Sequence, residues 1–242
     1  MSRTGISWAT HVLNITAGCT KVSAGCQHCW AERMAFRLKS MGRFEYQEVV
    51  SQNGWTGQIV CMAERLRQRF PKGSRVFVNS MSDLFHEGIG VPFLRRAFAE
   101  MSARSEVRWL LLTKRPQNIP AFVLDGPIEH IFLGVSVENQ QATWRITELL
   151  SRWHGHAWVS VEPMLAPVDL APWLPKISWA VCGGESGPRR RPFNPKWALN
   201  LYEQCRTADV PFFFKQGSGL RPGQDDELPG IGVVHEFPGE RP

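Results

Sequence analysis

Three cysteines lie within eleven residues near the start of this 242-residue chain, at Cys19, Cys26 and Cys29, in a Cys-x6-Cys-x2-Cys spacing. Gly18 and Gly25 each precede a cysteine, which predicts a backbone that approaches a bulky inorganic group without a Cβ clash. Three thiolates from one loop can bind three irons of a [4Fe–4S] cluster and leave the fourth iron open to a small chelating ligand. The spacing therefore favours an iron–sulfur site.

Two other interpretations of the cysteine loop stay open. A zinc ion could take His28 or His11 as its fourth ligand, although closed zinc sites usually draw on two ligand pairs and no second pair follows in the sequence. The thiols could also be redox-active or structural, although a chain of this length builds a core without disulfides. Cys61 and Cys205 lie in helix-like stretches, and we expect them to be small buried hydrophobes.

The elements that position these residues alternate along the chain. Apolar runs typical of strands buried on both faces occupy residues 75–79, 108–113, 130–137, 157–161, 178–182 and 211–215, with weaker candidates at 6–13 and 57–61. Amphipathic patterns predict helices at 31–41, 62–70, 91–104, 117–123, 140–153 and 195–208. The alternation predicts an α/β fold with a parallel sheet, either a partial or near-complete TIM-type (β/α) barrel or a doubly wound sheet. We expect one domain over residues 1–216 and a loop-like or partly disordered Gly/Pro-rich tail over 217–242.

Polar residues end almost every predicted strand, where parallel α/β folds place their chemistry. We therefore expect a polar site ringed by the sheet. Its candidate residues are Asn79, Ser80, Asp83, Thr113, Lys114, Arg115, Ser136, Glu138, Asn139, Glu162, Gly183, Gly184, Glu185, Lys215 and Gln216.

The charged members of this set suggest two kinds of chemistry. Lys114 and Arg115, with Lys215 across the sheet, could bind phosphate or carboxylate, or could be solvated strand-end charges. Glu162 and Glu185 could do acid–base work, with Lys114 and Glu162 as candidate catalytic residues, or could fix the basic side chains in place.

A basic loop follows the glycine-rich turn, and the whole chain carries a formal charge of +6. Three consecutive arginines in a loop suit a phosphate backbone, and nearby tryptophans could stack on bases; the alternative is an exposed loop above buried tryptophans. Because the loop lies far along the chain from the cysteines, we expect its replacement to leave a cluster unchanged. The residues are Arg189, Arg190 and Arg191, with Trp153, Trp179 and Trp197.

Composition places the chain among ordinary globular proteins, with 43% hydrophobic and 21% charged residues. No apolar run reaches the roughly 18 to 20 residues that cross a bilayer, and the first nine residues lack a signal-peptide core. We therefore expect a cytoplasmic protein without a membrane partner.

A three-cysteine loop after the first strand of a parallel (β/α) barrel resembles the radical S-adenosylmethionine (SAM) superfamily. Within it, the chain is similar to a phage-associated three-Cys-motif family, through blocks at 8–32, 79–86 (NSMSDLFH), 112–116 (LTKRP), 133–139 (LGVSVEN), 160–163 (SVEP), 183–187 (GGESG) and 212–216 (FFFKQ). The usual first gap of the superfamily is three residues and here it is six. His28 replaces the aromatic residue common before the third cysteine, and Trp30 follows that cysteine.

The resemblance implies that Cys19, Cys26 and Cys29 hold a [4Fe–4S] cluster whose open iron is chelated by SAM. An electron from a donor protein would then cleave the sulfonium and release a 5′-deoxyadenosyl radical, which is chemistry of the cofactor. Cys182 closes a buried strand and, if it faces the site, could give a hydrogen atom to a substrate radical; otherwise it is a core residue.

The resemblance also suggests cofactor contacts at the strand ends. They fall at Asn79, Ser80 and Asp83, with Ser136 and Glu138 for the cofactor carboxylate or ribose. Gly183, Gly184 and Glu185 match the Gly-Gly-Glu segment of the superfamily but follow a late strand instead of the second, and Lys215 lies beside them in the predicted sheet.

The expected function is a radical SAM enzyme that acts on nucleic acid, with DNA photolesion repair of the spore photoproduct lyase kind favoured by analogy. Arg115 and Arg189–Arg191 are the expected nucleic-acid contacts. The alternatives are radical modification of RNA or of a peptide, and a zinc-stabilised nucleic-acid-binding module without catalysis.

Overall fold

The computed structural model describes residues 4–124 and 128–240 of the chain. Its centre is a sheet of seven parallel strands that follow one another in chain order, so that in the described part of the chain the first and last strands are its two edges. This architecture is an α/β half-barrel of the TIM type and confirms the predicted fold class. The strands are β1 His11–Leu13, β2 Arg75–Val78, β3 Arg108–Thr113, β4 Ile131–Ser136, β5 His156–Val161, β6 Trp179–Gly183 and β7 Phe212–Gln216.

Four α-helices connect the strands: α1 Trp30–Ser40, α2 Val91–Ser102, α3 Trp144–Arg152 and α4 Pro195–Thr207. The last three bury one apolar face against the outer side of the sheet, as their periodicity predicts. Short 3₁₀ helices complete the connections, at Ala24–Cys26, Phe44–Tyr46, Ala63–Arg67, Pro116–Asn118, Ala121–Leu124, Gln140–Ala142 and Leu174–Lys176. Among the described residues, no helix has the length and apolar character needed to cross a bilayer.

Two predicted helices are wrong. Residues 62–70 form only the 3₁₀ helix Ala63–Arg67, because the guanidinium of Arg104 donates to the carbonyls of Leu66 and Gln68. Residues 117–123 form parts of two 3₁₀ helices, because Pro120 between them has no N–H to continue a helical ladder.

Aromatic rings fill the inner side of the half-barrel. Trp158 of β5 stands opposite Gly134 of β4, where an added Cβ would lie 2.5 Å from the indole. Trp8 packs edge-on against Trp158 and Trp179, and the rings of Trp158 and Trp179 pack against each other at a tilt of 33°. The interior below the carboxyl ends of the strands is therefore solid, and space remains only above it.

The cysteine segment is held by short antiparallel pairs. Thr16–Ala17 pairs with Val60–Cys61, which places the Cys61 side chain on an exposed strand and corrects its predicted position in a buried helix. Val50–Ser51 pairs with Gly54–Trp55 beside α1. Cys205 is buried in α4.

The Gly/Pro-rich tail packs against the sheet. Its described part, residues 217–240, contains the hairpin Glu227–Leu228 and Gly232–Val233 and pairs with the β7 edge through Phe213 and His235. Glu240 binds Arg75 and Arg108 at the amino ends of β2 and β3. The division at residue 216 stays a prediction, and residues 1–3, 125–127 and 241–242 of its two segments lie outside the described residues.

Candidate active site

The three loop cysteines are half-buried, and each sulfur lies beside a hydrogen-bond donor. Arg115 Nη1 donates to Cys19 Sγ over 3.8 Å, and the Glu32 N–H donates to Cys29 Sγ over 3.4 Å. The Ser23 hydroxyl lies 3.8 Å from Cys26 Sγ. Cys29 is the N-cap of α1, where the helix dipole favours a thiolate.

Burial keeps two of these thiols protonated when no metal is present. It raises the pKa of Cys19 to about 12, an effect that Asp83 adds to and Arg115 opposes. Burial also raises the pKa of Cys29, while the Glu32 N–H and the charge of Lys114 oppose the shift. A bound metal must therefore displace protons from these thiols.

The surroundings of the thiols bear on both metal interpretations. Among residues 4–124 and 128–240, no three His, Cys, Asp or Glu side chains converge on a position for a single metal ion. His11 lies at the amino end of β1, packed on Phe70, and the Nδ1 atom of His28 bonds to Glu185. A closed zinc site would need four ligand atoms at about 2.0–2.3 Å from one ion. Three thiols with sulfur-directed donors fit a multi-iron cluster, in which each thiolate binds a different iron.

The two glycines of the loop make room for protein atoms, which differs from the predicted approach to an inorganic group. Gly18 has φ +102°, and an added Cβ would lie 2.1 Å from the Gln58 carbonyl oxygen. A Cβ at Gly25 would lie 3.3 Å from the Glu138 carboxyl carbon. The loop therefore packs closely against neighbouring protein atoms at both glycines.

A cavity of about 750 Å³ opens beside the cysteine loop, above the aromatic interior. Cys29 and His28 form part of one wall, and Phe77 and Leu112 contribute apolar surface from β2 and β3. The structure brings seven predicted site residues to this cavity: Ser80, Lys114, Ser136, Glu162, Gly184, Glu185 and Lys215. Within it, Lys215 Nζ donates a short hydrogen bond to Glu162 Oε1.

Asn79 and Asp83 are behind the cavity wall and hold backbone segments. Asn79 Oδ1 accepts the N–H groups of Ile15 and Thr16 at 2.9 and 3.1 Å, so its polar atoms are used within the protein. Asp83 accepts from the Thr113 hydroxyl and the Lys114 N–H, at 2.7 and 2.9 Å. These contacts position the strand ends, and the cofactor contacts predicted at Asn79 and Asp83 stay a prediction.

Glu138 also lies outside the cavity lining, beneath the cysteine loop. Its Oε2 accepts from Arg145 Nη1 at 2.8 Å, and both side chains are buried. Burial opposes ionisation of Glu138, but the hydrogen bond from Ser23 and the charges of Arg145 and Lys114 bring its pKa below the ordinary value. Gly183 does not line the cavity and lies against Lys215.

Arg115 is only 1% exposed, so it is not a surface contact for nucleic acid. Its guanidinium donates to the carbonyl and hydroxyl of Thr20 and pairs with Asp83 and Glu87. Burial opposes its protonation, but the charges of Asp83, Cys19 and Glu87 raise its pKa. Arg115 therefore fixes the first part of the cysteine loop to the end of β3.

A second set of bonds joins the cysteine loop to the turn after β6. Glu185 accepts from His28 Nδ1 at 3.0 Å and from Arg191 Nη2 at 2.6 Å, and Arg191 also donates to the Ala24 carbonyl. Burial opposes ionisation of Glu185, but these hydrogen bonds bring its pKa below the ordinary value. Arg33 donates to the Ser186 carbonyl at 3.0 Å.

Two of the three loop arginines remain at the surface. Arg189 and Arg190 are exposed, and Arg189 lies in a shallow depression beside Cys29. Arg191 is engaged by Glu185, and the predicted independence of this loop from the cysteines is therefore wrong. The candidate stacking residues do not form a surface: Trp153 and Trp179 are buried, and Trp197 packs against the core.

Cys182 does not face the cavity. It is fully buried on the helix-facing side of β6, with its sulfur 3.5 Å from Met164 Sδ, and burial raises its pKa well above the ordinary value. Its register partner is Val161, one residue before the cavity-lining Glu162. The alternation of the pleat therefore turns the thiol away from the site.

The positions of the strand ends in the sequence do not reveal the residues of other elements that support them. Arg145 and Arg33 lie on helices and reach the site as partners of Glu138 and Ser186. Ser160 also lines the cavity, and its position next to Glu162 at the end of β5 was a signal available in the sequence.

Comparisons with known proteins give one family and one set of solved structures. A model of the family described as "Protein of unknown function (DUF5131)" matches residues 3–227. A spore photoproduct lyase complexed with dinucleoside spore photoproduct matches with 12% identity and TM-score 0.49, covering 91% of this chain and 78% of that chain. A double mutant of that lyase with bound AdoMet and the same photoproduct matches with 11% identity and TM-score 0.44, covering 88% and 76%. No curated protein matches the sequence.

Proposed function

The chain belongs to the DUF5131 family of proteins of unknown function, and we propose from its own site that it is an iron–sulfur enzyme of the radical SAM kind. One observation carries the proposal. Three half-buried thiols of a single loop each lie beside a hydrogen-bond donor, and one of them, Cys29, lines a 750 Å³ cavity at the carboxyl edge of a parallel sheet. The phage-associated three-Cys-motif family is the finer assignment that we propose.

In this proposal Cys19, Cys26 and Cys29 hold a [4Fe–4S] cluster. Such a cluster, reduced by an electron donor, would supply the electron that cleaves the sulfonium of bound SAM to an adenosyl radical. Arg115 and Glu138 position the loop from below, since both contact its backbone or side chains.

The cavity residues bind and orient the cofactor and the substrate. Ser80, Ser136, Gly184 and Glu185 offer hydroxyl, backbone and carboxylate groups on the wall that carries the cysteine loop. Lys114 places a cation near Cys29, where it can hold a cofactor carboxylate. Lys215 Nζ donates to Glu162 Oε1, and these two side chains are the candidate acid–base pair.

We propose nucleic acid as the substrate, and DNA photolesion repair as the reaction. The support is Lys114 on the cavity lining together with the exposed Arg189 and Arg190, of which Arg189 lies in a separate depression beside Cys29, in a chain of charge +6. The solved lyases bind a dinucleoside photoproduct, but the likeness to them carries no part of the proposal.

Anaerobic purification tests the cofactor. We expect iron and sulfide near four per chain, a visible absorption band, and release of 5′-deoxyadenosine when SAM and a reductant are added. Replacing Cys19, Cys26 or Cys29 with Ala abolishes SAM cleavage and removes most of the iron. Cys61→Ala and Cys205→Ala are the controls and retain both. One zinc per chain without visible absorption would contradict the proposal in favour of the zinc-stabilised binding module.

A further inference from the structure

Two buried hydrogen-bonding groups on the cavity lining have no partner. The side chains of Trp8 and Ser160 are 2% and 0% exposed, and both line the cavity. Neither Trp8 Nε1 nor Ser160 Oγ finds a hydrogen-bond partner among residues 4–124 and 128–240. Buried polar groups are nearly always paired, because an unpaired one destabilises the fold. Their place in the cavity indicates that a ligand supplies the missing acceptors.

These groups lie on one surface, the cavity floor, which we define as Trp8, Phe77, Ser136 and Ser160. The Trp8 ring is 4.7 Å from that of Phe77 and 5.5 Å from that of Trp158. Ser160 follows Trp158 by two residues on β5 and therefore faces the same side. Ser136 of β4 is its register partner and also lines the cavity.

The chemistry of the cavity floor selects the ligand group. An indole N–H only donates, and the serine hydroxyls can donate as well, so the floor is complementary to an edge that carries acceptors. The nearest carboxylate, Glu162, already accepts from Lys215. Phe77 and the Trp8 ring provide a flat apolar surface beside these donors. A planar heterocycle with carbonyl groups meets both requirements.

We infer that the cavity floor binds the carbonyl edge of a nucleobase, an inference that rests on the proposed nucleic-acid substrate and specifies which part of it enters the cavity. The phosphate of the nucleotide would lie toward Lys114, which lines the same cavity. The base is that of a free nucleotide or one extruded from a polynucleotide, as enzymes that modify bases require. Thymine presents carbonyl acceptors, whereas adenine presents an amino donor at the corresponding position.

Binding of two mononucleotides to the purified full chain tests the inference. We expect thymidine 5′-monophosphate to bind more tightly than deoxyadenosine 5′-monophosphate in an equilibrium titration followed by NMR. Ser160→Ala and Trp8→Phe each weaken binding of the thymidine nucleotide about fivefold, the loss typical of one hydrogen bond, and leave binding of the adenosine nucleotide unchanged.

The chain offers a matched control for each variant. Ser82 Oγ and Trp109 Nε1 are also buried without a partner among the described residues, but neither side chain lines the cavity. Ser82→Ala and Trp109→Phe should therefore leave the binding of both nucleotides unchanged. If Trp8→Phe fails to fold, Ser160→Ala decides alone, since removal of an unpaired buried hydroxyl does not destabilise the free protein.

Three outcomes overturn the inference: equal losses in the control variants, a Ser160-dependent loss for SAM instead of the thymidine nucleotide, or Ser160-dependent binding of a blocked peptide amide. Titration with octathymidylate tells whether the bound base belongs to a polynucleotide or to a free nucleotide. If it belongs to a polynucleotide, Ser160→Ala weakens binding of the oligomer. If it belongs to a free nucleotide, Ser160→Ala weakens binding of the monomer alone. Iron content measured on the same preparations separates this result from the proposed cofactor. A four-iron protein without thymidine preference contradicts only the inference, and a metal-free protein with that preference contradicts only the cluster.

Discussion

The contribution of Glu138 to stability depends on its ion-pair partner Arg145, beneath the cysteine loop. Glu138 and Arg145 are 2% and 5% exposed, and the Glu138 carboxyl touches the loop at Gly25. A buried charge that loses its partner is strongly destabilising, whereas removal of both charges is often close to neutral. The pair therefore fixes the loop only while it remains intact.

Arg145→Met should lower the free energy of unfolding by about 3 kcal/mol, because it leaves the Glu138 carboxylate buried without its cation. The double variant Glu138→Gln with Arg145→Met should recover most of this loss. Urea denaturation measures both values. Arg152→Met is the matched control on the same helix, since the exposed pair of Arg152 with Glu148 contributes less than about 1 kcal/mol. A double variant as unstable as the single one would contradict this account.

At the residue scale, the sequence predicts which positions surround the site but not which way they face. Ser136, Glu162 and Lys215 line the cavity because polar residues at the carboxyl ends of parallel strands share one edge. The direction in which Cys182 faces could not be predicted, because it depends on the register with Val161 and one sequence does not reveal that register. The partner of Glu138 lies on α3, seven residues away, and is recognisable only after the helix is placed.

At the scale of elements, Asn79 connects the end of β2 to the segment that leads into the cysteine loop. It adopts φ +63°, a conformation that Asn tolerates better than most residues with a Cβ. Its side chain supplies the acceptor for the Ile15 and Thr16 N–H groups. The path of the loop after β1 therefore depends on one residue of the next strand.

Asn79→Gly and Asn79→Ala separate the two contributions. Both variants leave the N–H groups of Ile15 and Thr16 unpaired, and we expect a loss of about 2–4 kcal/mol in the free energy of unfolding. The free energy of unfolding of the alanine variant should be about 1 kcal/mol lower than that of the glycine variant, because only glycine adopts a positive φ without strain. Chemical denaturation gives both numbers. Equal stability of the two variants would show that backbone strain has no part in the effect.

The secondary structure was predictable where apolar runs are long and was missed where side chains from elsewhere intervene. Six strands follow from nearly continuous hydrophobic runs, whereas β1 has only three residues and gives a weak signal. The packing of the tail on the sheet did not follow from its Gly and Pro content, because it depends on the few apolar residues Leu228, Val234 and Phe237, which pack in or against the core.

At the scale of the whole molecule, part of the net positive charge is concentrated in the loop that follows β6. Arg189 and Arg190 are exposed there, while Arg191 and Arg115 are bound by acidic partners. Only the first two are available to a phosphate backbone. A test of nucleic-acid binding must therefore leave Arg191 in place, because its loss would release the cysteine loop.

Arg189→Ala with Arg190→Ala should flatten the salt dependence of DNA binding. Each phosphate contact contributes about −0.9 to the log–log slope for duplex DNA, so two lost contacts reduce its magnitude by about 1.8. Fluorescence anisotropy at several salt concentrations measures the slope. The control is the exposed pair Arg95 and Arg96 on α2, whose replacement changes the net charge equally. Equal flattening in both double variants would assign the effect to net charge instead of to this loop.

In the described part of the chain, the seven-stranded sheet does not close into a barrel. Side-chain hydrogen bonds between loops, instead of a further strand, span the opening. Glu185 with His28 and Arg191, and Arg33 with Ser186, bridge the loops that follow β1 and β6. Side-chain bonds open and re-form far faster than strands separate, because no backbone ladder has to break. The aperture of the cavity can therefore widen and tighten again while all seven strands keep their register.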